Sequence, residues 1–81
     1  MLPESVMSHL EDAAREARAP LPGPDESLFR SVVLDSFSLV EFVELLEREC
    51  GIAVADGDLR PENFDTLAKV EAFVARARAA R

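Results

Sequence analysis

The string Val33-Leu-Asp-Ser-Phe-Ser-Leu-Val-Glu41 holds the residues best suited to chemistry in this 81-residue chain. Ser36 follows Asp35 where an acidic helix is predicted to start after a long loop, so another protein could reach its side chain. Unpaired N–H groups at a helix N-terminus and the positive end of its dipole stabilise a phosphate attached there. Ser38 is a competing hydroxyl, but it lies two residues further into the helix and lacks a preceding Asp. The same pattern also fits simple helix capping by Asp35 and Ser36, without further chemistry.

Residues for nucleophilic or metal chemistry are scarce elsewhere. A Ser hydroxyl needs a base held close to it, and nothing in the sequence places His9, the single His, beside Ser36. No catalytic residue is therefore assigned, and His9 is expected to be an ordinary surface or boundary side chain. One Cys and one His make a poor metal set, and Asp56-Gly-Asp58 lacks calcium-loop spacing, so no metal site is expected. Cys50 lies on an apolar stripe and is predicted to be buried.

Composition limits the function classes further. Sixteen acidic and nine basic side chains give a net charge of −7, which opposes nucleic-acid binding and favours a partner with a basic face. One small domain is expected over residues 1–81, ordered from about 4 to 76, with too thin a core for a deep active site. No apolar run approaches the ~20 residues of a membrane span, and no signal-peptide pattern is present, so a cytoplasmic location is predicted. A monomer is also expected.

Apolar spacing and capping signals predict an all-α fold: a small four-helix bundle with three long helices, one short helix, and a long loop between helices one and two. The first helix is predicted from Pro3 to Ala19, where Pro20 ends it. The long loop is expected to be pinned to the core by Leu28 and Phe29.

The second helix is predicted from Asp35-Ser36 to Cys50-Gly51, with Asp35 as N-cap and Gly51 after the last turn. A single-turn helix is predicted over Leu59–Phe64, and a last helix is predicted to follow, capped by Asp65. The predicted buried stripes of the three long helices are Val6, Leu10, Ala13, Ala14 and Ala17; Leu39, Phe42, Val43, Leu46 and Cys50; and Leu67, Val70, Phe73, Val74 and Ala77.

The negative charge is concentrated in the middle of the chain. Residues 35–62 hold eight acidic residues and two arginines, a net −6. Exposed Glu is common because it is a good helix former, so a solvated face is one interpretation. Apolar side chains amid the acids favour a docking face, because interfaces place an apolar anchor inside a polar rim. The side of the second helix opposite its buried stripe holds Phe37, Val40, Glu41, Glu44, Glu47 and Arg48.

The string and its flanks resemble the acyl carrier protein and peptidyl carrier protein family, which has a D-S-[L/F] motif at the start of its second helix. Asp35-Ser-Phe37 matches that motif. The resemblance spans roughly residues 4–76. The matching flanks are Ser27-Leu-Phe29, Leu39-Val-Glu-Phe-Val43, Leu46-Glu47, Gly51-Ile52, Asp58-Leu59 and Pro61-Glu-Asn-Phe-Asp-Thr66.

The resemblance implies a non-catalytic carrier. Ser36 would be esterified by 4′-phosphopantetheine, transferred from coenzyme A by a separate phosphopantetheinyl transferase, and the thiol of this arm would carry acyl or aminoacyl groups as thioesters. Phe37, Val40, Glu41, Glu44 and Glu47 would recognise partners. These partners are the transferase, a loading enzyme, and downstream synthase, transferase or tailoring enzymes with basic docking faces; no nucleic acid or membrane is implied.

The chain departs from the family pattern at particular positions. Val33 stands where the family usually has Gly, Arg48 interrupts the acidic run, and Phe37 replaces the commoner Leu. These features favour a dedicated carrier of bacterial polyketide, nonribosomal peptide or related biosynthesis, and a discrete carrier protein is expected. The alternatives are a carrier of primary fatty acid synthesis and an unmodified helical interaction module. A cleft sheltering part of the cargo is expected between the second and third helices, lined by Leu46, Leu59, Phe64 and Leu67.

Overall fold

The computed structural model describes residues 2–31 and 33–79. Within them lie three α-helices: α1 (Glu4–Glu16), α2 (Ser36–Cys50) and α3 (Leu67–Ala79). The described residues contain no strand, so the all-helical prediction is confirmed. None of these helices is long and apolar enough to cross a bilayer. The Cα radius of gyration, 11.7 Å, matches the roughly 12 Å expected of a folded chain of this length.

The predicted single-turn helix over Leu59–Phe64 is not confirmed as a fourth helix of a bundle, although Pro61 does begin a short 3₁₀ turn within this segment. The segment between α2 and α3 instead contains two short 3₁₀ turns, Asp56–Asp58 and Pro61–Asn63. Arg60 has extended dihedrals, φ −126° and ψ 141°, because a residue that precedes proline is disfavoured in the helical region. Proline therefore starts a turn here and separates it from the one before.

The core lies between the apolar stripes of the three helices, as predicted, and also takes in the loop after α1. Leu28 has no exposed surface, and Phe29 is half-buried against the core, which confirms that these two residues pin the loop. The buried hydrophobic residues are Leu2, Val6, Leu10, Ala14, Leu28, Val33, Leu34, Leu39, Phe42, Val43, Leu46, Cys50, Ile52, Phe64, Leu67, Val70, Phe73 and Val74.

Helix α1 ends three residues before the predicted boundary. Arg18 adopts a left-handed conformation with φ 57°. Its N–H donates to the Arg15 carbonyl at 3.1 Å, and the Ala19 N–H donates to the Ala14 carbonyl at 3.0 Å. This pair of bonds is a Schellman ending, which closes the helix before Pro20 can do so. Ala17 consequently lies exposed beyond the helix and not on its buried stripe.

Helix α3 is capped by a different residue from the one predicted. The helix begins at Leu67, so Thr66 occupies the N-cap position, and its hydroxyl accepts the Lys69 N–H at 3.1 Å. Asp65 lies one residue too early for this role. Its carboxylate instead accepts a hydrogen bond from the Ser27 hydroxyl at 2.5 Å, joining the long loop to the start of α3.

Candidate functional site

The N-terminus of α2 is held by a reciprocal capping box. Asp35 is the N-cap residue, and its Oδ1 accepts the N–H groups of Phe37 and Ser38 at 2.9 and 2.8 Å. The Ser38 hydroxyl in turn accepts the Asp35 N–H at 2.9 Å. Two residues thus satisfy three of the donors at the helix start, and they fix the backbone on both sides of Ser36.

The two hydroxyls of the motif differ in their surroundings. Ser38 is half-buried and its oxygen belongs to the capping box. Ser36, the first helical residue, is exposed, and no described residue hydrogen-bonds to its hydroxyl. The hydroxyl of Ser36 is therefore free to react without breaking a bond within the protein, whereas reaction at Ser38 would disturb the cap.

The capping box changes one expectation about a phosphate on Ser36. The N–H groups of Phe37 and Ser38 are already paired with the Asp35 carboxylate, so they are not free to receive a phosphate. The hydrogen bond from the Ser38 backbone lowers the pKa of Asp35. Burial opposes this, but further hydrogen bonds from the Ser38 side chain and the Phe37 backbone keep the pKa below its usual value. A negative carboxylate thus flanks the serine at neutral pH.

An apolar surface adjoins Ser36 on the exposed side of α2. Phe37 is 90% exposed and Val40 is 48% exposed, both unusual for side chains of this size. Together with Ser36 and Glu41 they border an open surface hollow of about 530 Å³. The predicted apolar anchor therefore lies directly beside the serine, where a bound protein would cover it.

The acidic residues predicted to surround this anchor do not share one environment. Glu41 and Glu44 are exposed. Glu47 is half-buried, and its Oε2 accepts the N–H of Val54 at 2.9 Å, which fastens the connector after α2 to the helix. Sequence reasoning missed this bond because it joins residues seven positions apart across a helix end. Glu47 thus stabilises the fold as well as contributing negative charge.

The side chains of His9 and Cys50 pack in other parts of the structure, away from Ser36. The His9 ring stacks on Phe42, with the ring centroids 6.1 Å apart. Cys50 is buried as predicted, and burial raises the pKa of its thiol. It also lies at the opposite end of α2 from Ser36, about 20 Å away along a 15-residue helix. Neither side chain is placed to assist a reaction at the serine.

The residues expected to line a cargo cleft do not share a surface. Leu46 and Phe64 have no exposed surface and fill the core, and Leu67 is also buried. Leu59, in contrast, is 36% exposed, because it lies between the two 3₁₀ turns. These four side chains therefore do not line an open cleft together in this structure, and a cleft that shelters cargo stays a prediction.

Sequence comparison shows the family to which the chain belongs. A family model described as phosphopantetheine attachment site matches residues 5–74. The chain belongs to this family. The family attaches a 4′-phosphopantetheine prosthetic group, and its carrier domains are generally non-catalytic and interact with phosphopantetheinyl transferases and partner enzymes. Among curated proteins, no sequence matches the chain significantly.

Val33 shows how this family member differs from the usual Gly pattern. Arg18 is the only non-glycine residue in ranges 2–31 and 33–79 with positive φ, so Val33 does not use the backbone freedom of glycine. Its side chain is 2% exposed and packs in the core. Its N–H donates to the Leu28 carbonyl at 3.0 Å. The substitution thus gives the carrier fold an additional core residue just before the motif.

Proposed function

We propose that this chain is a discrete carrier protein that bears 4′-phosphopantetheine on Ser36. The observation that carries the proposal is the contrast between the two hydroxyls: Ser36 is exposed and without a partner among the described residues, while Ser38 is part of the capping box. The thiol at the end of the prosthetic arm supplies the attachment point for an acyl or aminoacyl group.

The chain's own residues have positioning and recognition roles in this proposal. Asp35 and Ser38 hold the first turn of α2, so that Ser36 is presented on a rigid helix start. A serine hydroxyl is a weak nucleophile, and the His9 ring lies against Phe42 instead of beside Ser36. The Asp35 carboxylate is engaged in the cap, so in this proposal the transferase supplies the base that takes the Ser36 proton, and the carrier itself performs no catalysis.

Partner choice is proposed to depend on the exposed side of α2. Phe37 and Val40 supply an apolar anchor next to the serine, and the exposed Glu41 and Glu44 supply a negative rim. A basic partner face would be attracted over a distance of about one Debye length, roughly 8–10 Å at physiological salt. Glu47 belongs to this face, but its bond to Val54 limits its part to a local negative charge.

The pathway proposed is bacterial polyketide, nonribosomal peptide or related natural-product biosynthesis, with primary fatty acid synthesis as the alternative. Val33, Arg48 and Phe37 support this choice, because each departs from the usual pattern at or near the recognition helix. In vitro loading separates the cases. Aminoacyl loading by an adenylating enzyme supports the peptide route, while a carrier accepted equally well by primary fatty acid enzymes supports the alternative.

Intact-mass spectrometry tests the attachment. The protein is incubated with coenzyme A and a broad-specificity phosphopantetheinyl transferase. Wild type and Ser38→Ala are expected to gain one phosphopantetheine, and Ser36→Ala is expected to gain none. No gain in folded wild type would favour an unmodified helical interaction module, and a gain that survives Ser36→Ala would overturn the assignment of the residue.

A further inference from the structure

The loop after α1 is fastened to the beginning of α3 by a cluster of hydrogen bonds. The Ser27 hydroxyl donates to the Asp65 carboxylate at 2.5 Å, and the Leu28 N–H donates to the Asp65 carbonyl at 2.6 Å. A third bond joins the Ala68 N–H to the Pro24 carbonyl at 3.0 Å. Asp65 therefore holds two consecutive loop residues, one through its side chain and one through its backbone.

We call the hydrogen bonds of Ser27 and Leu28 to Asp65 the clamp. Leu28 connects this clamp with the segment just before the attachment motif. While its N–H is bound to Asp65, its carbonyl accepts the N–H groups of Val33 at 3.0 Å and Leu34 at 3.2 Å. Leu34 directly precedes Asp35. The Leu28 side chain has no exposed surface, so the residue is held by packing as well as by hydrogen bonds on both sides.

Ser27 contributes its side chain to the clamp, whereas Leu28 contributes only its backbone. Besides donating to Asp65, its hydroxyl accepts the Arg30 N–H at 3.0 Å. Its carbonyl accepts the Ser31 hydroxyl at 2.8 Å. The single hydroxyl thus shapes the turn that follows Leu28 and ties it to α3. A bond between a hydroxyl and a carboxylate is among the stronger kinds of hydrogen bond in proteins.

We propose that Ser27 and Asp65 are positioning residues for the attachment serine, because their hydrogen bond holds Leu28 where its carbonyl fixes the backbone that leads into Asp35 and Ser36. The inference rests on the proposed function of Ser36. It assigns a role in presenting the motif to residues that lie outside the motif and outside the docking face. In this proposal, the residues at the start of α3 help to hold the backbone that leads into α2.

The test compares Ser27→Ala with Thr66→Ala. Ser27→Ala removes the clamp's hydroxyl, and Ser27→Thr is the conservative rescue because it keeps that hydroxyl. Thr66→Ala is the matched control: it removes the cap of α3 at the neighbouring position but leaves both bonds of Asp65 intact. All variants are measured at a temperature at which they are folded, by residue-resolved hydrogen exchange and by steady-state phosphopantetheinylation.

Ser27→Ala is expected to speed exchange of the Val33 and Leu34 amides about tenfold, the effect of losing one hydrogen bond to a charged group. It should lower kcat/KM for phosphopantetheinylation about fivefold with kcat unchanged, because the transferase must reorder the segment on binding. Ser27→Thr should restore both. Thr66→Ala should lower thermal stability yet leave these exchange rates and kcat/KM within about twofold of wild type.

Equal effects of Ser27→Ala and Thr66→Ala on these two amides and on kcat/KM would overturn the inference, because they would show general destabilisation only. Failure of the proposed function looks different: folded wild type would then accept no phosphopantetheine at all. In that case the exchange rates of Val33 and Leu34 still test whether the Ser27–Asp65 bond holds the backbone before Asp35. Unchanged rates in Ser27→Ala would refute that.

Discussion

Replacing Val33 by the glycine that the family usually has at this position is expected to destabilise the protein. The Val33 side chain is 2% exposed and its N–H is bonded to the Leu28 carbonyl. Val33→Ala removes two buried methyl groups, each worth about 0.8 kcal/mol in transfer free energy, and leaves a small cavity, so the expected loss is about 2 kcal/mol. Val33→Gly also removes the buried Cβ and adds the backbone freedom of glycine, for a total of about 3–4 kcal/mol.

Urea and thermal denaturation of wild type, Val33→Ala and Val33→Gly measure these losses. For a domain of this size, 1 kcal/mol corresponds to about 4–8 °C in Tm, so Val33→Ala should melt roughly 8–16 °C below wild type. The Ala variant separates the loss of the two methyl groups from the loss of Cβ and the gain in backbone freedom. A Val33→Gly protein as stable as wild type would refute the reasoning, since it would show that the position prefers glycine despite the buried side chain.

Further predictions concern the end of α1, the docking face and the cap of α2. Arg18→Gly should raise the free energy of unfolding by about 0.5–1 kcal/mol in urea titrations, because glycine adopts the left-handed Schellman position without strain; lower stability would contradict this. Glu41→Lys and Glu44→Lys should slow transfer by partner enzymes several-fold at low salt and reduce its salt dependence, while Glu11→Lys on α1 should not; equal rates in all three would remove the docking proposal. The pKa of Asp35 is lowered in the folded protein, so its contribution to stability is complete above the unfolded pKa and is lost as the pH falls through the folded pKa. Asp35→Asn, which does not titrate, should therefore lose less stability than wild type between about pH 7 and pH 3, and parallel pH profiles would contradict the assignment.

The bounds of α2 could be predicted from sequence because each end is set by residues next to it in the chain. The N-cap Asp35 and the left-handed Gly51, with φ 66°, are the residue types that such positions favour, and the helix runs between them as predicted. The end of α1 could not be found in this way. Its left-handed residue is Arg18 and not a glycine, so the residue type at this position did not indicate that the helix ends before Pro20.

The parts of the site that sequence reasoning missed are pairings between distant residues. The bond of Ser27 to Asp65 spans 38 positions, and that of Glu47 to Val54 crosses the end of α2. Each bond depends on how the helices pack against one another. The periodicity of apolar residues along a single helix does not predict such contacts. The role of Ser38 is local, but a serine three residues after an N-cap has many other uses, and only the coordinates show that its oxygen accepts the Asp35 N–H.

Locating the modification within the wild-type chain tests the central claim most directly. After reaction with coenzyme A and a phosphopantetheinyl transferase, the protein is digested, and fragment-ion spectra of the peptide that contains both motif serines are recorded. The phosphopantetheine ester is expected on Ser36 alone, because its hydroxyl is exposed and takes no part in the cap. An ester on Ser38, or modification divided between the two residues, would contradict the account.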